Sequence, residues 1–473
     1  MKQVKQYLSY AAGAFGHDAF YATLSTYFMM FVTSQLFNTS DAGFNDKMIG
    51  WVTGLIVALR IVEIIFDPVI GGVVDNTRTR WGKFKPWLVV AGLISSILLV
   101  VIFTDFGGLN VSHPVLYIVL FGIVFITLDA FYSFKDVAFW SMLPALSLDS
   151  KKREKFGTIA RFGSTLGQQG VQIVVIPLVT MFSLAFVGSH AETKTGWFWF
   201  AIVIAVVAYL GVMLTVWGTK EEDNIIRKNT EKSGIKAIFT AVAKNDQLMW
   251  QALSYFLFAL AYVSTNSMLL YYFKYVMGAG DKFYLVGIFT AIEGIIAVAI
   301  FPTLSKFFSR RTIFTTGAII MLVGYALFLF SSNSLPLALL AITLFFSPYP
   351  ILFLVVLMTI TDSVEYGQLK LGVRNESVTL SLRPLIDKLA GAFANGIVGI
   401  AAVAAGMTGS AKPEDITTAG MQSFNLFMFY IPIALIIISV LIYWFKVKLT
   451  EKKHAEIVRQ LEERLRKEEA EKN

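Results

Sequence analysis

The chain has 473 residues, of which 56% are hydrophobic and 15% charged, and its mean hydropathy is +0.65. A soluble protein cannot cover that much apolar side chain with so small a polar minority, so lipid must take the remainder. The lack of cysteine excludes disulfides, thiolate metal sites and cysteine nucleophiles, and the four histidines leave little room for a histidine metal cluster.

Crossing the hydrocarbon takes about 20 apolar residues per helix, and twelve stretches meet that demand. The first runs from Leu8 to about Phe37 and centres near Tyr21. It is too long for a signal-peptide core and contains His17 and Asp18, so no cleavable signal is expected. The next five centre near Ala58, Ser95, Ile126, Val171 and Val207. A mixed-charge segment, Thr219–Asp246, then separates them from six more, centred near Ala261, Ile295, Met321, Val355, Ala392 and Leu435. The fourth and eleventh read as the least apolar, which predicts that they line an interior pathway. The expected organisation is a six-helix bundle over 1–218, a linker over 219–246, a second bundle over 247–446 and a charged tail over 447–473. In the tail, Ile457, Leu461 and Leu465 recur every four residues, which predicts a short surface or membrane-edge helix; a solvated tail is the alternative.

The loops set the orientation. One group is basic: Arg78, Arg80, Lys83 and Lys85; Lys151, Lys152, Arg153 and Lys155; Lys306, Arg310 and Arg311; Lys370 and Arg374. The alternate loops, among them 36–46 and 187–195, are nearly free of Lys and Arg. The positive-inside rule makes the basic group and both termini cytoplasmic, and this asymmetry accounts for the formal charge of +8 without any affinity for nucleic acid.

Ionisable side chains at mid-helix cost on the order of 3 kcal/mol on insertion scales and are normally paired. The first helix carries His17 and Asp18; the second Arg60, Glu63 and Asp67; the fourth Asp129, Lys135 and Asp136; the fifth Arg161; the eleventh Arg383, Asp387 and Lys388. Glu63 and Asp67 are four apart and share a face, with Arg60 placed to pair with Glu63. Two close carboxylates favour a shared proton or a bound cation. Tyr132, Asp136 and Trp140 form one stripe of phenol, carboxylate and indole, which suits a sugar: hydroxyls donate to the carboxylate while the C–H face lies on the ring. Each residue also has a plainer reading. Glu63 and Arg60, or Arg383 and Asp387, serve as structural ion pairs; Lys135 snorkels or pairs with Asp129 or Asp136; Trp140 packs. Charges on five helices favour one coupled polar pathway. No nucleophile–base pair, metal motif or phosphate loop points to an enzyme, and no cofactor is expected.

The run Asp67-Pro68-Val69-Ile70-Gly71, followed by Asp75-Asn76-Thr77-Arg78-Thr79-Arg80-Trp81-Gly82-Lys83-Phe84-Lys85-Pro86-Trp87, resembles the glycoside–pentoside–hexuronide:cation symporters. That family lies in the major facilitator superfamily and includes melibiose permease. Gly13–Asp18, Asp136–Ser141, Lys244–Leu248 and Asp362–Gly367 carry the same resemblance. Ser9–Gly16, Phe20–Phe28, Phe139–Met142 and Arg383–Lys388 look closest to LacS-type lactose/galactoside permeases.

The resemblance implies an all-α polytopic fold of two pseudo-symmetric six-helix bundles in the cell membrane, working by alternating access. It implies that Asp18 and Asp136 hold galactosyl hydroxyls, that Trp140 stacks on the sugar, and that Tyr132 and Arg161 line the pocket. Lys388 would pair with those acids when the site is empty. Glu63 and Asp67 would be the cation-coupling acids, with the Ser133 hydroxyl beside them. Arg60, Arg383 and Asp387 would serve coupling, together with Lys370 and Glu376 at the connection between the tenth and eleventh helices. Phe66 stands where melibiose permease has an asparagine cation ligand, and a ring supplies no oxygen for sodium, so proton coupling is expected over sodium. His17 replaces a lysine and Pro384 a threonine of that permease, which leaves the particular sugar open. The expected partners are a galactoside, a proton and membrane lipid. Galactoside exchange, homodimerisation and control by the phosphotransferase system stay open; LacS-type permeases often continue into a domain of that system beyond the position of Asn473. A sodium-coupled symporter, a lysolipid carrier and a transporter-like sugar sensor are the alternatives.

Overall fold

A computed structural model describes residues 2–77, 79–143, 146, 150–221, 243–371, 376–409 and 411–470. Among the described residues, twelve long helical segments follow in chain order: α1 (Lys2–Ala22, prolonged through short α and π turns to Leu36), α2 (Ala42–Asn76), α3 (Lys85–Ile102), α4 (Pro114–Met142), α5 (Ser150–Val187), α6 (Lys194–Gly218), α7 (Asp246–Val276), α8 (Gly280–Phe307), α9 (Arg310–Phe328), α10 (Leu335–Leu371, in two pieces), α11 (Glu376–Ala405) and α12 (Thr418–Lys446). A polar helix, α13 (Glu451–Ala470), ends the chain. Among the described residues, α3 to α12 are long and apolar enough to cross a membrane. The expectation that the fourth helix is among the least apolar does not hold, because α7 and α9 are less apolar than α4.

Local chemistry explains these elements. Asp41, Thr193, Ser309 and Ser334 cap α2, α6, α9 and α10 by accepting from backbone N–H groups three residues on. Inside α1 the hydroxyls of Thr23, Ser25, Thr33 and Ser34 donate to carbonyls four residues back, at 2.7–3.0 Å. A hydroxyl in an apolar helix is thereby satisfied without water.

The chain divides into two compact units. The first comprises residues 1–230, 266–291 and 392–427; the second comprises 231–265, 292–391 and 428–473. In the first, α1 lies between α5 and α6, and α3 packs on α4 through Trp87 stacked on Phe134 at 4.3 Å. Tyr10, Val74, Leu88, Phe139 and Phe156 share one core cluster with these helices. At the basic-loop end, Glu221 accepts from the backbone N–H groups of Lys83, Phe84 and Lys85 at 2.9, 3.2 and 3.3 Å, an anion closing the N-terminus of α3. Gly82 there has φ 108° and approaches the Glu221 carboxylate, so it must be glycine. At the opposite end Thr33 bonds the Tyr271 hydroxyl at 2.5 Å, Gly409 N–H donates to the Thr33 carbonyl at 2.6 Å, and Lys274 pairs with Glu192 at 3.1 Å. The latter ends of α7 and α11 are thereby tied to α1 and to the loop before α6.

In the second unit, Tyr262 of α7 stacks on Tyr349 of α10 at 3.6 Å, and the Ser254 hydroxyl of α7 donates to the Ser439 carbonyl of α12 at 2.9 Å. The tail forms a helix as expected, and it docks. Leu449, Ile457 and Leu461 are buried against Tyr366 and Leu369 of α10. Glu451 accepts from the Arg310 backbone N–H at 2.6 Å, and His454 lies 3.7 Å from Asp362 and 3.5 Å from Glu365. The Asp362 carboxylate also pairs with the Arg310 guanidinium. The side chains of Asp67, Lys151, Lys152, Arg153, Glu376, Pro384 and Leu465, together with Arg78, Arg374 and most of the linker, lie outside the described residues.

Candidate sugar and cation site

The site is built on close helix contacts. A Cβ on Gly163 of α5 would fall 2.3 Å from the Ala11 carbonyl oxygen, and one on Gly167 would fall 2.1 Å from that of Phe15. A Cβ on Gly211 of α6 would meet the Ala12 carbonyl at 2.6 Å. Glycine alone allows these backbones so near, the usual means of joining helices where lipid removes the hydrophobic drive. The approach sets Ser164, next to Gly163, against Asp18, and its hydroxyl donates to the carboxylate.

On α4 the four-residue spacing aligns Tyr132, Asp136 and Trp140 beside His17 of α1. His17 Nε2 lies 2.9 Å from Asp136 Oδ1 and 3.1 Å from the Tyr132 hydroxyl. The imidazole is parallel to the rings of Tyr132 and Phe139, with centroids at 5.3 and 5.5 Å, and edge-on to Trp140 at 6.2 Å. The exposed Arg161 guanidinium sits 5.5 Å from the Trp140 ring centre. Carboxylates from α1 and α4, a flat indole and a guanidinium donor thus come from three helices of one unit. Together they can accept from hydroxyls, donate to ring oxygens and cover an apolar sugar face.

A second cluster lies on α2 and α4. Arg60 bridges Glu63 at 3.0 Å and Asp129 at 3.1 Å, and the Ser133 hydroxyl donates to Glu63 at 2.8 Å. Arg60, Glu63, Asp129 and Ser133 are all buried. The Arg60 guanidinium also covers Phe125 at 5.5 Å. Lys135 takes neither carboxylate partner considered for it. Its ammonium rests 3.9 Å from the Phe20 ring centre and 4.8 Å from that of Tyr132, with no hydrogen bond among the described residues. Phe66, the departure on α2, is exposed.

The remaining expected residues lie in the second unit. Arg383 pairs with Asp387 at 3.1 Å along α11, as their spacing suggests, and covers Phe353 at 4.6 Å. The Tyr255 hydroxyl donates to Asp387 at 2.5 Å. Lys388 is half-buried on the same helix. Lys370, at the end of α10, pairs with Asp246, which also accepts from the Tyr366 hydroxyl at 2.8 Å.

Sequence reasoning gives no site role to three participants. His17 is counted among the membrane charges and noted as a replacement, yet it joins Asp136 to Tyr132. Ser164 is marked only by its place inside the Gly163–Gly167 pair. Glu293 is a single acid within an apolar run of α8 and belongs among the charged positions.

The family model described as MFS/sugar transport protein matches residues 9–451. The chain belongs to the MFS/sugar transport protein family. Curated relatives in that range are carriers. The chain is 48% identical over 461 residues to the lactose permease of Lactobacillus delbrueckii subsp. bulgaricus, covering 98% of this chain and 73% of that permease. It is 44% identical to the lactose permease of Leuconostoc lactis, covering 97% of this chain and 72% of that one. It is 47% identical to the raffinose carrier protein of Pediococcus pentosaceus, covering 96% and 71%. The inward-open xylose transporter XylE from E. coli superimposes with a TM-score of 0.63 at 16% identity, covering 97% of this chain and 99% of that one, a likeness of fold. This MFS chain is therefore a multi-pass membrane transporter and no enzyme.

Proposed function

We propose that this protein moves a galactoside across the cell membrane together with a proton, with both termini in the cytoplasm. The observation that carries the sugar is the constellation of Asp18, Asp136 with His17, Tyr132, Trp140 and Arg161 on α1, α4 and α5. The names of the relatives, lactose permeases and a raffinose carrier, agree with it. In this reading Asp136 and Asp18 accept the galactosyl hydroxyls, Trp140 stacks on the pyranose, and Arg161 donates from its edge.

Proton rather than sodium coupling follows from what surrounds Glu63. Sodium needs acceptor oxygens. The Glu63 carboxylate instead faces a guanidinium and a hydroxyl donor, Arg60 at 3.0 Å and Ser133 at 2.8 Å. The guanidinium occupies the place a metal cation would need, whereas a proton requires no set of oxygen ligands and can be taken up when the Arg60 contact loosens. Protonation of Glu63 would weaken its hold on Arg60 and shift the guanidinium towards Asp129, a change that a transport cycle can use. Asp67, one turn on from Glu63, is the second proposed carrier.

The direct test of the sugar site is counterflow of labelled lactose in proteoliposomes with competing sugars. Galactosides should compete, and glucosides differing at the C4 hydroxyl should not. Asp136→Asn keeps the shape but removes a charge-assisted acceptor worth about 1.5–3 kcal/mol, so galactoside affinity should fall at least about tenfold. Unchanged affinity would move the sugar elsewhere.

A further inference from the structure

The acids proposed so far as proton carriers, Glu63 and Asp67, sit on α2. A different buried acid lies in the second unit and belongs to no ion pair among the described residues. Glu293 of α8 is 9% exposed, although its neighbours Ile292, Ile295 and Ile296 face outward. Neither carboxyl oxygen meets the distance and angle of a hydrogen bond among the described residues. The Thr343 hydroxyl of α10 stands beside it as a polar neighbour. The titratable side chain its charge reaches is Tyr262 of α7, which in turn borders Tyr325 of α9 and Tyr349 of α10. Its described polar surroundings are thus phenols and a hydroxyl, without a lysine, arginine or histidine partner.

An acid that bears the insertion cost of a membrane helix and has no cation opposite it does not act as an ion-pair strut. Both oxygens are sealed off, so a sugar cannot reach them in this arrangement. A proton needs no room of its own and can be handed over once a neighbouring hydroxyl turns to make a hydrogen bond to the carboxyl. We propose that Glu293 is a further proton-holding group of the transport cycle, carried by α8 and distinct from Glu63 and Asp67 of α2. This rests on the proton-coupled reading above. The step is a protonation only: a carboxyl oxygen takes a proton that enters from water on one side and is relayed by a neighbouring hydroxyl, and releases it to the other side.

The test compares wild type, Glu293→Gln and Glu293→Asp in sodium-free proteoliposomes. Two readouts are needed: lactose accumulation driven by an inside-alkaline gradient, and lactose counterflow, which requires no net proton movement. In Glu293→Gln, accumulation should fall at least about tenfold more than counterflow, and Glu293→Asp should recover part of it. Accumulation by Glu293→Gln equal to wild type would overturn the inference while leaving proton coupling intact. An equal loss of counterflow and accumulation would overturn it as well, by making Glu293 structural. Wild-type accumulation indifferent to the gradient would remove the proton reading and this inference together.

Discussion

Arg60 holds two acids in the apolar interior, Glu63 at 3.0 Å and Asp129 at 3.1 Å. Removing one member of such a buried set leaves uncompensated charge, whereas removing the whole set need not cost stability. Arg60→Ala should destabilise the protein by about 3–5 kcal/mol. Adding Glu63→Gln and Asp129→Asn to it should recover most of that loss in thermal unfolding of the purified protein. If the triple variant is no more stable than Arg60→Ala, the three do not act as one charge set. The pairing of Arg60 with Glu63 was legible from their spacing, as was the shared face of Tyr132, Asp136 and Trp140. The partnership with Asp129 was not, because it depends on how α2 and α4 approach, and spacing along one helix says nothing about the next. The same limit hides Ser164 opposite Asp18. Lys135 shows the converse: adjacency to Asp136 in sequence suggests a pair, but neighbouring residues on a helix point in different directions.

At the scale of the element, glycine decides where α1 goes. Gly163 and Gly167 let α5 approach α1 until Ser164 meets Asp18. Gly163→Leu should abolish a folded, monodisperse preparation, while Gly163→Ala should fold with lowered stability and weakened sugar binding, read by thermal unfolding and titration calorimetry. A Gly163→Leu variant with normal binding would contradict the packing described. The tail is the other element with a clear lesson. Its spacing of Ile457 and Leu461 foretold an apolar stripe, but the surface that receives it, Tyr366 and Leu369, lies nearly a hundred positions earlier in the chain. Ile457→Asp should release α13, and amide exchange across residues 451–470 should accelerate at least about tenfold without loss of the membrane helices. Unchanged exchange would mean that the polar contacts of Glu451 and His454 hold the tail unaided.

For the molecule as a whole, the all-helical multi-pass fold was legible from hydropathy alone, because lipid leaves a chain few ways to satisfy its backbone. The positions of the buried charges were legible for the same reason: each stands out against an apolar helix. Their grouping was only partly so. Sugar and proton sites of the proposed kind must communicate, and both clusters place residues on α4, where Asp129 and Ser133 serve one and Tyr132 and Asp136 the other. A rotation or shift of α4 would move both together, so that a change at one cluster reaches the other. The most direct measurement is uptake of radiolabelled lactose into sodium-free proteoliposomes, with and without an imposed inside-alkaline pH gradient. Proton-coupled galactoside transport predicts accumulation that follows the gradient and disappears when it is collapsed. Uptake that ignores the gradient and responds only to added sodium would contradict it.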